Sequence, residues 1–145
     1  MYSVIIAGGV GKRFWPKSRK ENPKQFLNII DDDRSMLQVT YDRLKQFTDN
    51  DKIYIVASRD LKDKILNEID ELSEENYISE PSGKNTAPCI GLAANVINSI
   101  DPEATMGVYP ADHLIKDIET FKDSVKNGQK AAIEKDALVT FGIKP

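Results

Sequence analysis

The sequence predicts an α/β fold in which a mostly parallel sheet lies between two layers of helices. Two observations support this prediction. Five short apolar segments are rich in β-branched and aromatic residues, and several lack polar alternation, as strands covered on both faces do. The segments between them show helical periodicity instead. Alternating strands and helices favour right-handed crossovers and a three-layer α/β/α arrangement.

The predicted strands indicate where a ligand would bind. They cover residues 3–7, 53–57, 77–80, 105–109 and 137–142. In an open parallel sheet, ligands bind outside the carboxyl ends of the strands. Chemistry is therefore expected in residues 8–24, 81–86 and 110–114, which follow the first, third and fourth strands.

Four helices are predicted between these strands. Ser35 and Gln38 form a capping box at the start of the first helix, and Asp60 is expected to cap the second. Thr86 precedes the third helix. The fourth runs from about residue 117 to 135, with apolar residues spaced for one face.

Composition excludes several classes of function. The net charge of −3 gives no general attraction to nucleic acid or anionic membranes, and no apolar stretch approaches the ~20 residues of a membrane span. The single cysteine, Cys89, lies in an apolar stretch and is expected in the core. One cysteine and one histidine argue against a structural zinc site. A chain without an internal disulfide fits a reducing compartment, so a cytoplasmic location is expected.

Glycines are concentrated after the first predicted strand, in the segment Ala7-Gly8-Gly9-Val10-Gly11-Lys12-Arg13. Without a Cβ, such residues let backbone N–H groups approach one anion closely. The pattern is neither the dinucleotide fingerprint nor a Walker A loop, and a tight turn is the alternative interpretation. Between Lys12 and Lys24 there is a local excess of five positive charges, which suits a polyphosphate, although a basic run is more often a solvated surface.

The following residues make the interpretation specific. Trp15-Pro16-Lys17-Ser18-Arg19 leads into Asn22-Pro23-Lys24-Gln25-Phe26. Together with the glycine-rich loop, these segments resemble the signature of the mannose-1-phosphate guanylyltransferases. Related sugar nucleotidyltransferases usually lack the Trp-Pro-x-Ser-Arg and Gln-Phe elements. The resemblance implies a Rossmann-like nucleotidyltransferase fold, truncated in this chain, and transfer of GMP from GTP to mannose 1-phosphate, which gives GDP-mannose and pyrophosphate.

The resemblance implies two catalytic basic residues. Arg13 is expected to bind the β- and γ-phosphates, and Lys24 to lie at the α-phosphate and the attacking sugar phosphate. Positive charge at these positions stabilises phosphoryl transfer. The alternatives are a surface ion pair for Arg13 and a solvated loop lysine for Lys24. The rest of the predicted phosphate cradle consists of Ala7, Gly8, Gly9, Gly11 and Lys12.

A second segment, Glu80-Pro81-Ser82-Gly83-Lys84-Asn85-Thr86-Ala87-Pro88, resembles the family's Glu-Pro-x-x-Arg-Asn-Thr-Ala-Pro, with Lys84 where arginine is commoner. Guanine presents two adjacent donors, and a carboxylate can accept from both. Glu80 is therefore a candidate guanine-binding residue, with Asn85 and the backbone around Ala87 completing the base pocket. The alternative is a charge at a strand end followed by a turn residue.

A third segment, Tyr109-Pro110-Ala111-Asp112-His113, resembles the family's Leu-Pro-Ala-Asp-His. The resemblance makes Asp112 the expected Mg²⁺ ligand, bridging to the α-phosphate. Mg²⁺ prefers hard oxygen ligands and takes one or two carboxylates plus phosphate oxygens and waters. His113 is interpreted as structural, because a phosphate monoester is already ionised at neutral pH and needs no general base.

Residues 1–145 are thus predicted to be the nucleotide-binding part of a sugar nucleotidyltransferase domain. Residues 140–145 resemble the stretch that leads the family into its sugar-binding half, which is predicted to be absent here, so this chain alone is expected to be inactive. The expected partners are GTP and mannose 1-phosphate, and an exposed edge at the fifth strand is compatible with a homo-oligomer. Two alternatives stay open: another sugar-1-phosphate nucleotidyltransferase, and a catalytically incompetent nucleotide-binding module.

Overall fold

The computed structural model describes residues 1–8, 23–28 and 33–142. Within these ranges four parallel strands form one sheet in the order β3-β2-β1-β4. The strands are β1 (Tyr2–Ile6), β2 (Ile53–Ser58), β3 (Tyr77–Glu80) and β4 (Met106–Pro110). The first four predicted strands are therefore confirmed, with each end within one residue of its predicted position.

The helices follow the predicted alternation. They are α1 (Met36–Lys45), α2 (Lys62–Glu68), α3 (Thr86–Ile100) and α4 (Ile118–Lys135). The capping box is confirmed, because Ser35 Oγ accepts from the Gln38 backbone N–H at 3.2 Å and the Ser35 N–H donates to Gln38 Oε1 at 2.8 Å. Asp117 caps α4 by accepting from the Thr120 N–H at 3.0 Å.

The prediction that Asp60 caps α2 is wrong. Asp60 lies inside a 3₁₀ turn, Arg59–Leu61, that leads directly into α2, and the N-cap position belongs to Leu61, which makes no side-chain cap. Helical geometry thus begins at Arg59, two residues earlier than a cap at Asp60 would place it. Thr86 is likewise the first residue of α3, and Asn85 occupies the N-cap.

The predicted fifth strand, residues 137–142, is also wrong. After α4 the chain turns at Asp136, whose φ is 45°, and continues without a ladder partner among the described residues. A Cβ on Gly128 would lie 2.5 Å from Phe141 Cζ, so the segment packs its aromatic ring against the glycine backbone of α4. Apolar residues identify a segment suited to a sheet, but a strand also needs a hydrogen-bonding neighbour.

The two faces of the sheet carry two separate cores. Of the four described α-helices, α1, α2 and α4 contribute to one core and α3 contributes to the other. The first includes Ile5, Leu37, Tyr41, Leu44, Ile55, Ile65 and Val125, and the second includes Val4, Val56, Cys89, Ala93 and Ile97. This burial on both faces explains the continuous apolar sequences of β1 and β2, and it confirms Cys89 as a core residue.

Candidate active site

The sheet topology marks one position where a ligand can enter. The chain builds β1, β2 and β3 toward one edge and then places β4 on the other side of β1. The segments after β1 and β4 therefore start from adjacent strand ends at the point where the strand order reverses, which is where ligands bind in open parallel sheets. The Ala111 N–H donates to the Ile6 carbonyl at 3.2 Å, so the two loops begin side by side.

Two of the predicted site residues meet at this point. Lys24 Nζ lies 2.7 Å from Asp112 Oδ2, although the two residues are 88 positions apart. Their side chains are 20% and 39% exposed, so the pair is sheltered but can be reached from solvent. The ion pair thus places a positive and a negative side chain just beyond the strand ends.

The position of Lys24 depends on its two neighbours. Lys24–Phe26 forms a 3₁₀ turn that follows Pro23. Gln25 is buried, and its Nε2 donates to the Ala7 carbonyl at 2.6 Å, while Phe26 packs in the core. Gln25 and Phe26 belong to the sequence signature, but the sequence alone indicates no role for either. The structure shows that they tie the lysine turn to the end of β1.

Glu80 reaches the loop that follows β1. It ends β3 and is 8% exposed, and a Cβ on Gly8 would lie 3.2 Å from Glu80 Oε2. A larger residue at position 8 would therefore crowd the carboxylate. Ala7, the preceding residue, is buried and donates to the Val56 carbonyl at 2.9 Å. The structure thus brings the candidate base-binding carboxylate to the start of the candidate phosphate loop.

Asn85 and Ala87 lie at the start of α3 and are exposed. Asn85 has φ 71° and ψ −172°, a backbone conformation that residues other than glycine rarely adopt. Its side chain makes no cap hydrogen bond within the described part of the chain. Backbone strain at an exposed position is a feature that often accompanies ligand binding.

In the first turn of this helix, burial raises the pKa of the Cys89 thiol, and the negative charge of Glu80 adds to the shift. The thiol is therefore protonated at neutral pH.

Some predicted site residues cannot be compared with the structure. Gly9, Gly11, Lys12 and Arg13 lie outside the described residues. His113 is exposed, and its backbone carbonyl accepts a hydrogen bond from Arg43. In the described part of the chain, no three His, Cys, Asp or Glu side chains are grouped closely enough to hold a metal ion. The helices of that part include none with the length and apolarity needed to span a membrane.

Sequence comparison identifies relatives that match almost all of this chain. Mannose-1-phosphate guanylyltransferases from Salmonella montevideo and Escherichia coli strain K12 are 41% identical over 144 residues and 42% identical over 149 residues. The matches include 98% and 100% of this chain, respectively. The chain spans only 30% of the length of either relative.

Two solved structures share the fold of this chain. A Thermus thermophilus protein described as a mannose-1-phosphate geranyltransferase superposes with a TM-score of 0.79 at 28% identity, over 92% of this chain and 38% of that one. A mannose-6-phosphate isomerase from Helicobacter pylori gives 0.71 at 26% identity, over 92% and 46%. The three-layer α/β prediction is therefore confirmed.

The family assignment rests on nearly the full length of the chain. Residues 2–145 match the nucleotidyl transferase family. The similarity to mannose-1-phosphate guanylyltransferases predicted from the motifs is confirmed by the identities above. The match over residues 2–145 establishes that the chain belongs to the nucleotidyl transferase family.

Proposed function

We propose that residues 1–145 form the nucleotide-binding part of an enzyme that transfers GMP from GTP to mannose 1-phosphate. The observation that carries this proposal is the contact between Lys24 and Asp112 beyond the end of β4, which joins two motifs of the guanylyltransferase signature. The relatives that are 41–42% identical supply the choice of substrates. In this proposal the residues that bind mannose lie beyond the 30% of the relatives that the chain spans.

The reaction forms a bond between a mannose 1-phosphate oxygen and the α-phosphorus of GTP, and breaks the bond from that phosphorus to the β-phosphate. Pyrophosphate leaves with its electron pair. The attacking phosphate is already ionised, so the enzyme mainly positions the groups and neutralises charge. Lys24 is proposed to stabilise the charge at the α-phosphate, and Arg13 that on the departing β- and γ-phosphates.

Asp112 is the proposed ligand for Mg²⁺. Its carboxylate is partly exposed at the end of β4 and supplies the hard oxygen that Mg²⁺ prefers. Phosphate oxygens and water are proposed to be further ligands, as is usual for Mg²⁺. Bound there, the ion supplies positive charge to the α-phosphate. Lys24 holds the Asp112 carboxylate in position at 2.7 Å.

Glu80 is proposed to select guanine by accepting from its ring N–H and its amino group. The closeness of its carboxylate to Gly8 supports this role, because a base bound at Glu80 would have its phosphates near the loop after β1. Asn85 and the backbone of Ala87 are proposed to complete the base pocket from the exposed start of α3. Gly8, Gly9, Gly11 and Lys12, with Ala7, are proposed to contact the phosphates.

We also propose a cytoplasmic location. The single cysteine is buried as a free thiol, which suits a reducing compartment. The proposed partners are GTP and mannose 1-phosphate.

Calorimetric titration with nucleoside triphosphates tests this proposal. GTP should bind more tightly than UTP or dTTP, and magnesium should increase the affinity. Equal affinities for all three triphosphates would remove the guanine assignment while leaving a phosphate site. No measurable binding of any triphosphate, in a chain shown to be folded by circular dichroism, would contradict the proposal as a whole.

Turnover measurements test whether residues 1–145 alone can catalyse the reaction. This chain alone should release little or no pyrophosphate from GTP and mannose 1-phosphate, because the attacking phosphate would not be positioned, and positioning contributes up to about 7–11 kcal/mol to such reactions. A chain extended to the length of the relatives should be active. Comparable rates would show that residues 1–145 already bind the sugar.

A further inference from the structure

Arg43 is a buried charged residue on α1. It is only 4% exposed, although arginine is almost never fully buried without partners. Its Nη1 donates to the His113 carbonyl at 3.0 Å, and its Nη2 donates to Thr40 Oγ1 at 3.2 Å. Its Cζ lies 5.5 Å from the ring centroid of Phe121 on α4. The guanidinium therefore joins α1, α4 and the loop after β4.

Thr40 extends this contact to a second carbonyl. Its hydroxyl accepts from Arg43 Nη2 and donates to the Ala111 carbonyl at 3.3 Å. The backbone carbonyls on both sides of Asp112 are thus held from α1, one by Arg43 directly and the other through Thr40. The sequence pattern indicates no role for either residue, because their partners lie about 70 positions away in the chain.

Packing alone does not explain a charged residue at this position. Arg43 Nε is buried without a hydrogen-bond partner among the described residues, and burial lowers the pKa of the guanidinium. An apolar side chain would avoid both costs, and such replacements of buried charges are often neutral or stabilising. The planar guanidinium can, however, reach two acceptors at fixed angles, which neither an apolar side chain nor a lysine can do.

We propose that Arg43 is a positioning residue for Asp112, acting with Thr40 to fix the backbone carbonyls of Ala111 and His113, the two residues that flank it. The inference rests on the proposed role of Asp112 in magnesium-dependent nucleotide binding. The carboxylate must be held within a fraction of an ångström to serve Lys24 and the metal together. Arg43 itself touches neither.

Hydrogen exchange of the ligand-free chain tests the positioning directly. The Ala111 N–H, bound to the Ile6 carbonyl, reports opening of the loop. Arg43→Lys and the nearly isosteric Thr40→Val should each speed exchange at Ala111 by up to about tenfold, the equivalent of one lost hydrogen bond. Lys45→Met is the matched control, because it removes an exposed ion pair to Glu71 from the same helix. It should leave exchange at Ala111 unchanged.

Nucleotide binding then separates positioning from general support of the fold. Arg43→Lys should weaken GTP binding by up to about tenfold in magnesium and by little in EDTA, because only the metal-dependent contact needs Asp112 in place. Equal losses in both buffers, or unchanged loop exchange in both variants, would overturn the inference. If the unmodified chain bound no GTP, the proposed function would be wrong. Faster hydrogen exchange at Ala111 in the variants would still support the positioning of the Asp112 loop by Arg43.

Discussion

The Lys24–Asp112 pair and the Glu80–Ala87 segment lie at the same end of the sheet, but they are held in different ways. The pair is fixed by buried polar groups, since the Gln25 amide donates to the Ala7 carbonyl at 2.6 Å beside Lys24. In the segment only Glu80 is buried, and the residues that follow it up to the first turn of α3 are exposed. Asn85 is also strained, at φ 71°.

This difference suggests separate roles for the two regions in the proposed site, one in binding the phosphates and the other in binding the base. Charges that are already in position stabilise a transition state without reorganisation, which suits the phosphate side. An exposed and strained segment is better suited to close over a base once the nucleotide arrives. We therefore expect changes near Lys24 to have larger effects than changes near Asn85.

Gln25→Leu should give the largest effect among the supporting residues. It leaves the buried Ala7 carbonyl without its donor, which costs about 1–3 kcal/mol and lowers Tm by about 3 °C or more. GTP affinity should fall as well, because the Lys24 turn loses its tie to β1. Gln129→Leu is the control, since it removes an amide that donates to Thr105 Oγ1 at 3.1 Å at the other end of the sheet. Unchanged GTP affinity in Gln25→Leu would show that Lys24 does not need this tie.

Glu80→Gln should have an intermediate effect confined to base selection. Replacing the carboxylate with an amide turns one acceptor into a donor, so the preference for GTP over UTP should fall by about five- to tenfold. Inosine triphosphate, which lacks the amino group of guanine, should lose less affinity than GTP. Glu75→Gln, at an exposed position, controls for loss of charge. A preserved preference in Glu80→Gln would assign base selection to other residues.

Asn85→Gly should give the smallest effect. Glycine relieves the strain at positive φ, so stability should rise by up to about 1 kcal/mol, and no cap hydrogen bond is lost. If Asn85 contacts guanine, GTP affinity should fall slightly. Asp136→Gly is the control, because Asp136 also has a positive φ, in a left-handed conformation at the end of α4 far along the chain from the site, and its replacement should not change GTP affinity. A less stable Asn85→Gly would indicate that the asparagine side chain has a structural partner.

The sequence predicted most of the fold because its signals are local. Strand composition located β1 to β4, and Ser35 with Gln38 identified the start of α1. The errors arose where the secondary structure of a segment depends on adjacent segments of the folded chain. Residues 137–142 have the composition of a strand but no pairing partner among the described residues, and a 3₁₀ turn replaced the expected Asp60 cap.

For the candidate site, the motifs predicted residues that the structure brings to one end of the sheet. The motifs alone did not predict how those residues are supported. Gln25 and Arg43 act through partners that only the folded chain supplies, namely the carbonyls of Ala7 and His113. The roles assigned to Lys24, Glu80 and Asp112 stay predictions, as does that of Arg13, which lies outside the described residues.

The most direct test of the central claim is the effect of Asp112→Asn on GTP affinity in magnesium and in EDTA, measured by calorimetry on the folded chain. The account predicts a loss of about tenfold or more in magnesium, because the metal loses its carboxylate, and little change in EDTA. Asp63→Asn, on the exposed face of α2, should change neither value. An identical loss in both buffers would contradict the claim and leave Asp112 only as the structural partner of Lys24.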